Sequence, residues 1–158
     1  MQSIQILLVG KTDSAPLQSL IAQYLKRLNR FVTAEIVEIP DLKNTKAISA
    51  KEQKEKEGQL ILAHISPSDY IVLLDERGKE FTSLNFANYL NHKQQVVARR
   101  LVFVVGGPYG FSAAVYNRAT EQVSLSKMTF SHQMVRLFLV EQIYRAFTIL
   151  THHPYHHK

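Results

Sequence analysis

Apolar residues fall along this chain in short blocks that switch between two periods. Ile4–Val9 is an apolar run closed by Gly10, and Ala34–Ile39 is a second one ended by Pro40. Tyr70–Leu74 and Leu101–Val105 follow. Runs of this length with such boundaries read as strands, and the uninterrupted Leu101–Val105 run suits a strand covered on both faces of a parallel sheet. Between the first two, Leu17, Leu20, Ile21, Tyr24, Leu25 and Leu28 recur at the three-and-four spacing of one helix face, with Ser14 and Pro16 as the start signal. A further helix is predicted over Thr82–Leu90, entered at Thr82 or Ser83, and a short one is capped by Ser112. Val123–Ser126 reads as a short fifth strand, and a long helix runs from about Ser131 to Leu150. Strands alternating with helices predict a parallel α/β sheet. With no internal repeat or linker, residues 1–158 are expected to form one domain.

Two segments break the simple pattern. From Asp41 to Gly58 the chain mixes Lys43, Lys46, Lys51, Lys54 and Lys56 with Glu52, Glu55 and Glu57, and gains apolar content only at Leu60. This reads as a mobile loop running into a solvated helix; an RNA-facing arm is the sharper alternative, against which the interspersed acids count. The last helix is the opposite case. At about 100° per residue its apolar side chains point in every direction: Met134, Val135, Leu137, Phe138, Leu139, Val140, Ile143, Phe147 and Ile149. A helix apolar all round is buried all round, so a second subunit is expected to cover what one sheet face cannot. Glu141 and Arg145 are spaced as an ordinary i,i+4 ion pair. His132 and Arg136 share another face and need partners if that end is buried.

Composition narrows the classes. Hydrophobic residues at 46% and charged residues at 20% support a packed core and exclude a disordered chain. There is no cysteine, so disulfides, thiolate metal sites and cysteine nucleophiles are excluded; a reducing cytoplasm fits. No apolar run approaches the roughly 20 residues that span a bilayer. Nineteen Lys and Arg against 13 Asp and Glu give +6, a mild pointer to polyanions. Four of the seven histidines, His152, His153, His156 and His157, lie in the last seven residues. They lack helical ligand spacing and an acidic partner, so no metal is expected.

Ligands of open parallel sheets bind beyond the carboxyl ends of the strands. That rule selects Leu74–Gly78 and Gly106–Gly110. The second carries Gly106-Gly107-Pro108-Tyr109-Gly110, which is neither a P-loop nor a dinucleotide fingerprint; a tight strand-to-helix connection explains it equally well. Read alone, these residues leave open a non-catalytic RNA-binding dimer, and an enzyme holding a phosphate where Ser112 opens a helix.

Several ordered blocks together carry a resemblance: Leu8–Gly10, Leu74-Asp75 with Gly78-Lys79, Phe103–Ser112, Ser124–His132, Arg136, Glu141–Ala146 and His153–His156. Over the whole chain these resemble the RlmH family, SPOUT-class methyltransferases acting on a pseudouridine of bacterial 23S ribosomal RNA. The resemblance implies a parallel-sheet SPOUT (α/β-knot) fold with a C-terminal trefoil knot, a homodimer, and transfer to N3 on assembled ribosomes. It implies S-adenosylmethionine as cofactor, held by Leu74, Gly106, Leu125, Ser126, Lys127, Met128, Thr129 and Phe130. It also implies that His132, Arg136, Tyr155 and His156 surround the target base.

Overall fold

The computed structural model describes residues 1–157. Its elements run β1 (Ser3–Val9), α1 (Ala15–Leu28), β2 (Ala34–Ile39), a 3-10 turn (Thr45–Ala47), α2 (Ala50–Ala63), β3 (Tyr70–Glu80), α3 (Ser83–Val96), β4 (Arg100–Val105), α4 (Ala113–Arg118), β5 (Glu121–Ser124) and α5 (Met134–Leu150). Ser14, Ser49, Thr82 and Ser112 each accept a hydrogen bond from the backbone N–H three residues on, which fixes where four of these helices start.

All strand pairs are parallel, in the order β2-β1-β4-β3-β5. The pleat sends alternate side chains to opposite faces. Ile4, Ile6, Leu8, Val72, Leu101, Phe103 and Val105 pack with α1, α3 and α5; Leu7, Val9, Ile71, Leu73, Val102 and Val104 pack with Ile61 of α2 and Val115 of α4. Burial on both sides is why Leu101–Val105 of β4 reads as an unbroken apolar run and why β1 is interrupted within Ile4–Val9 only by Gln5.

Four boundaries differ from the sequence pattern, one of them the end of α3, which runs past Leu90 to Val96. β3 does not stop at Leu74 but continues to Glu80, with a register shift against β5 between Leu74 and Lys79. The extension is polar because it has left the covered part of the sheet. β5 spans Glu121–Ser124 rather than Val123–Ser126, since Glu121, a polar residue, is held inside by Lys93 Nζ at 2.9 Å and the Tyr89 hydroxyl. The last helix starts at Met134, with Ser131 Oγ accepting from the Met134 N–H at 3.1 Å.

α5 lies between α1 and α3 and buries Leu139, Val140, Ile143, Ala146 and Phe147. It is not enclosed all round: Met134 and Phe138 are 39% and 36% exposed, while the polar Arg136 is only 1% exposed. That guanidinium donates to the carbonyls of Val9 (2.7 Å), Gly10 (2.8 Å) and His132 (3.3 Å) and to Thr12 Oγ1 (3.0 Å). Desolvation lowers its pKa, opposed by the more distant charges of Glu38, Asp41 and Asp13. Gln133 adds a second tie across the same gap, donating to the Lys11 carbonyl at 3.2 Å and accepting from the Asp13 N–H at 3.0 Å.

Two substitutions test this account by thermal or urea unfolding. Arg136→Ala leaves three buried carbonyls short of a donor and opens a large void, so a loss of more than about 3 kcal/mol is expected. Gly78→Ala places a Cβ 2.6 Å from the main chain of Val123. Backbone cannot step aside as a side-chain end can, so about 1–3 kcal/mol should be lost. Wild-type stability in either variant contradicts the packing described.

Candidate active site

Beyond the carboxyl ends of β3, β4 and β5 lies a cavity of about 710 Å³. One wall comes from β4 and the turn after it. The apolar strand delivers Val105 to the edge, and Gly106 follows because a Cβ there would lie 3.0 Å from the Phe111 ring. The turn closes with the Gly110 N–H donating to the Gly107 carbonyl at 3.2 Å, and Gly110 takes φ +80°, which favours glycine.

The second wall is the stretch between β5 and α5. Ser124 Oγ donates to the Ser126 carbonyl at 2.9 Å, and Ser126 Oγ accepts from the Met128 N–H at 3.0 Å, so short polar side chains fold this stretch locally. Phe130 anchors its end on Phe138 of α5, with ring centroids 5.0 Å apart. Leu74 and the β3 extension form the third wall. There the Tyr116 hydroxyl donates to the buried Asp75 carboxylate, and Arg77 donates to the same hydroxyl at 3.1 Å. Burial and the bond to Asp75 push the Tyr116 phenol up, so it stays protonated.

Seven of the eight residues expected to hold a cofactor line this cavity: Leu74, Gly106, Leu125, Ser126, Met128, Thr129 and Phe130. Lys127 does not; its side chain is exposed and outside the lining. Of the four residues expected around a target base, His132 lines the cavity and Arg136 is buried at the β1 end, committed to main-chain carbonyls. Arg136 is therefore corrected from a base-facing cation to a clamp.

Tyr155 and His156 lie elsewhere, on the second half of α5. The Tyr155 hydroxyl donates to Glu141 Oε1 at 2.9 Å and lies 3.3 Å from the Tyr24 hydroxyl; Arg145 sits 4.8 Å over its ring. Burial first, then these bonds to Tyr24 and Glu141, raise the Tyr155 phenol far above neutrality, so it acts as a donor. Arg145 also meets Glu141 Oε1 at 2.6 Å and His156 Nδ1 at 3.2 Å, so the expected i,i+4 pair is present and docks the tail. Phe111, Tyr116 and Gln133 were not read as site residues from sequence, and Asp75 only as part of the Leu74–Gly78 stretch. Asp75 meets Tyr116 and Gln133 meets the Asp13 N–H across long stretches of chain, while Phe111 packs against Gly106 within its own turn. Among the described residues no three His, Cys, Asp or Glu converge as a metal site.

With this geometry in hand, comparison with known proteins gives a consistent answer. A family model described as "Predicted SPOUT methyltransferase" matches residues 2–156. A Parabacteroides distasonis protein named ribosomal RNA large subunit methyltransferase H is 57% identical over 155 residues, covering 98% of this chain and 99% of that one. A Christiangramia forsetii protein of the same name is 53% identical over 156 residues, 99% of each chain. Among solved structures, a probable methyltransferase from Bordetella pertussis aligns with TM-score 0.56 at 10% identity, covering 92% of this chain and 95% of that one. A probable methylase family protein from Haemophilus influenzae aligns with TM-score 0.53 at 12% identity, covering 96% and 68%. These last two are likenesses of fold. By family match and by near-full-length identity, the chain belongs to the SPOUT methyltransferases.

Proposed function

We propose that this chain methylates N3 of a pseudouridine in bacterial 23S ribosomal RNA, using S-adenosylmethionine, acting as a homodimer on the assembled ribosome. The observation that carries the reading is that the motif Ser124–His132, scattered apolar and polar letters in the sequence, folds into one wall of a single cavity opposite Leu74 and Gly106. The near-full-length relatives bear the ribosomal RNA large subunit methyltransferase name.

The cavity suits the cofactor. Its volume lies in the usual range for small-molecule sites, roughly 300–1,000 Å³. Leu74, Val105 and Leu125 offer apolar surface for a flat base, with main chain of the 124–130 stretch to read its edge, and Gly106 presents backbone without a side chain. When bound, the cofactor supplies a methyl carbon on a sulfonium, open to in-line displacement. The chain's own task is to hold the acceptor nitrogen in line and to take its proton, since a protonated imide is a poor nucleophile. His132 is the side chain in the cavity suited to accept that proton. Arg136 and Gln133 hold the turn on which His132 sits.

Tyr155 and His156 belong to this reading through the dimer. Met134 and Phe138 on α5, with Met128 (75% exposed) and Tyr109 (52%) at the cavity rim, form apolar surface for a second copy, whose tail would reach the target base. The path of the chain also supports a knot: after β5 at one sheet edge it returns between α1 and α3 and reaches β1 through Arg136. Among the described residues no helix is long and apolar enough to cross a membrane, and the reading places the enzyme with ribosomes in the cytoplasm. With +6 of formal charge, recognition is expected to rest on ribosome shape and phosphate contacts.

Labelled methyl from S-adenosylmethionine should appear at one pseudouridine of unmodified ribosomes, mapped by mass, with the rate falling as salt rises. Equal labelling of a short naked stem-loop overturns the ribosome requirement, and no labelling of any ribosomal RNA overturns the activity. His132→Ala should lower kcat by about 10²–10⁴ with cofactor binding retained; full turnover in both His132→Ala and His156→Ala removes the base-facing roles.

A further inference from the structure

Glu57 is a buried acid with no part in the chemistry above. It sits on α2 at 7% exposure, facing the cofactor turn from outside the cavity. Its carboxylate rests against Gly107: a Cβ there would lie 2.9 Å from Oε1 and 3.1 Å from Oε2. Oε2 accepts a long bond from Gln53 Nε2 at 3.3 Å, while Oε1, fully buried, has no partner among the described residues. Next to it, Gly58 lets α2 press on Ser112, where a Cβ would come within 2.3 Å of Oγ. α2 is thus seated at the far end of the Gly106–Gly110 turn, and Glu57 is aimed at its near end. Burial raises the carboxyl pKa, with the nearby Asp41 adding to the rise against the bond from Gln53.

A buried acceptor left open is costly, of the same order as a lost hydrogen bond, and the protein keeps one against the most ligand-facing turn of the molecule. We propose that Glu57 is a positioning residue for the cofactor turn. With the cavity filled, the Gly107–Gly110 turn settles onto Glu57, and the N–H of Gly107 or Tyr109 uses the open carboxylate oxygen, since Pro108 has none and that of Gly110 is held by the Gly107 carbonyl. Glu57 itself does not touch the cofactor. The inference rests on the reading of this cavity as the S-adenosylmethionine site.

Glu57→Gln tests it with almost no change of shape. Gln53 already donates to one oxygen, so the amide of the variant must turn its NH2 toward the turn and oppose donor to donor. Calorimetric binding of S-adenosylhomocysteine should weaken at least about tenfold. The KM for S-adenosylmethionine should rise in step, with kcat at saturating donor within about twofold and the KM for ribosomes unchanged. Glu57→Ala, which removes the carboxylate and leaves the turn's own residues in place, should give the same split and stands in if E57Q does not fold. Unchanged binding in folded E57Q, or a fall in kcat without loss of affinity, overturns the proposal. If E57Q loses S-adenosylhomocysteine while neither it nor the unaltered protein methylates ribosomes, the turn's support stands and the substrate assignment fails. No binding by the unaltered protein overturns both.

Discussion

A guanidinium that is 1% exposed must be surrounded by oxygen, and Arg136 finds its oxygens on segments more than a hundred residues apart. Three main-chain carbonyls and one hydroxyl satisfy most of its donors, without a carboxylate in contact. Neutral acceptors spare the site a second desolvated charge, and the planar fork of arginine reaches several at once, as lysine cannot. Breaking such an arrangement strands polar groups in a dry interior. The first turn of α5 therefore cannot drift from the end of β1, and Gln133 doubles the tie. Everything between β5 and α5 is pinned at both ends and serves as a fixed wall.

That wall matters because a parallel sheet leaves its carboxyl ends open. β3, β4 and β5 bring Leu74, Val105 and Ser124 to the same edge, and the crevice between them is closed by turns rather than by core. Glycine sits where backbone meets something rigid: Gly106 beside Phe111, Gly78 against Val123. Polar groups then set the shape, with Asp75, Tyr116 and Arg77 in one wall and Glu57 behind another, outside the cavity. The result is a cavity whose interior is mostly apolar surface and main chain, suited to gripping a nucleoside and holding a reactive carbon still.

The titratable groups expected around a target base are split between two places. His132 is at the cavity, while Tyr155, His156, Glu141 and Arg145 form a separate, mutually bonded cluster that also binds Tyr24 of α1. Ordering a C-terminal tail by five partially buried groups costs chain entropy. The bonds to Glu141, Arg145 and Tyr24 offset that cost.

Local pattern determined much of this protein. Short apolar runs marked the strands and a three-and-four spacing marked α1, because an element must repeat in step with the face it buries; α2, a charged stretch, carried no such period. Capping at Ser14, Thr82 and Ser112 was equally legible, since it depends on three consecutive residues. The motif blocks led to the family and to seven of the cavity's residues. What tertiary structure alone decided were polar residues whose meaning is a distant partner. Arg136 looked like a base-facing cation until Val9 and Gly10 stood beside it. Lys127 looked like one of a run until the folded stretch left its side chain exposed, outside the cavity. β3 looked finished at Leu74 because its extension faces water, and Glu57 looked like one more solvated acid of α2. Hydrophobic burial is written in spacing along the chain; hydrogen-bond satisfaction in a dry interior is settled only when residues far apart in sequence are brought together.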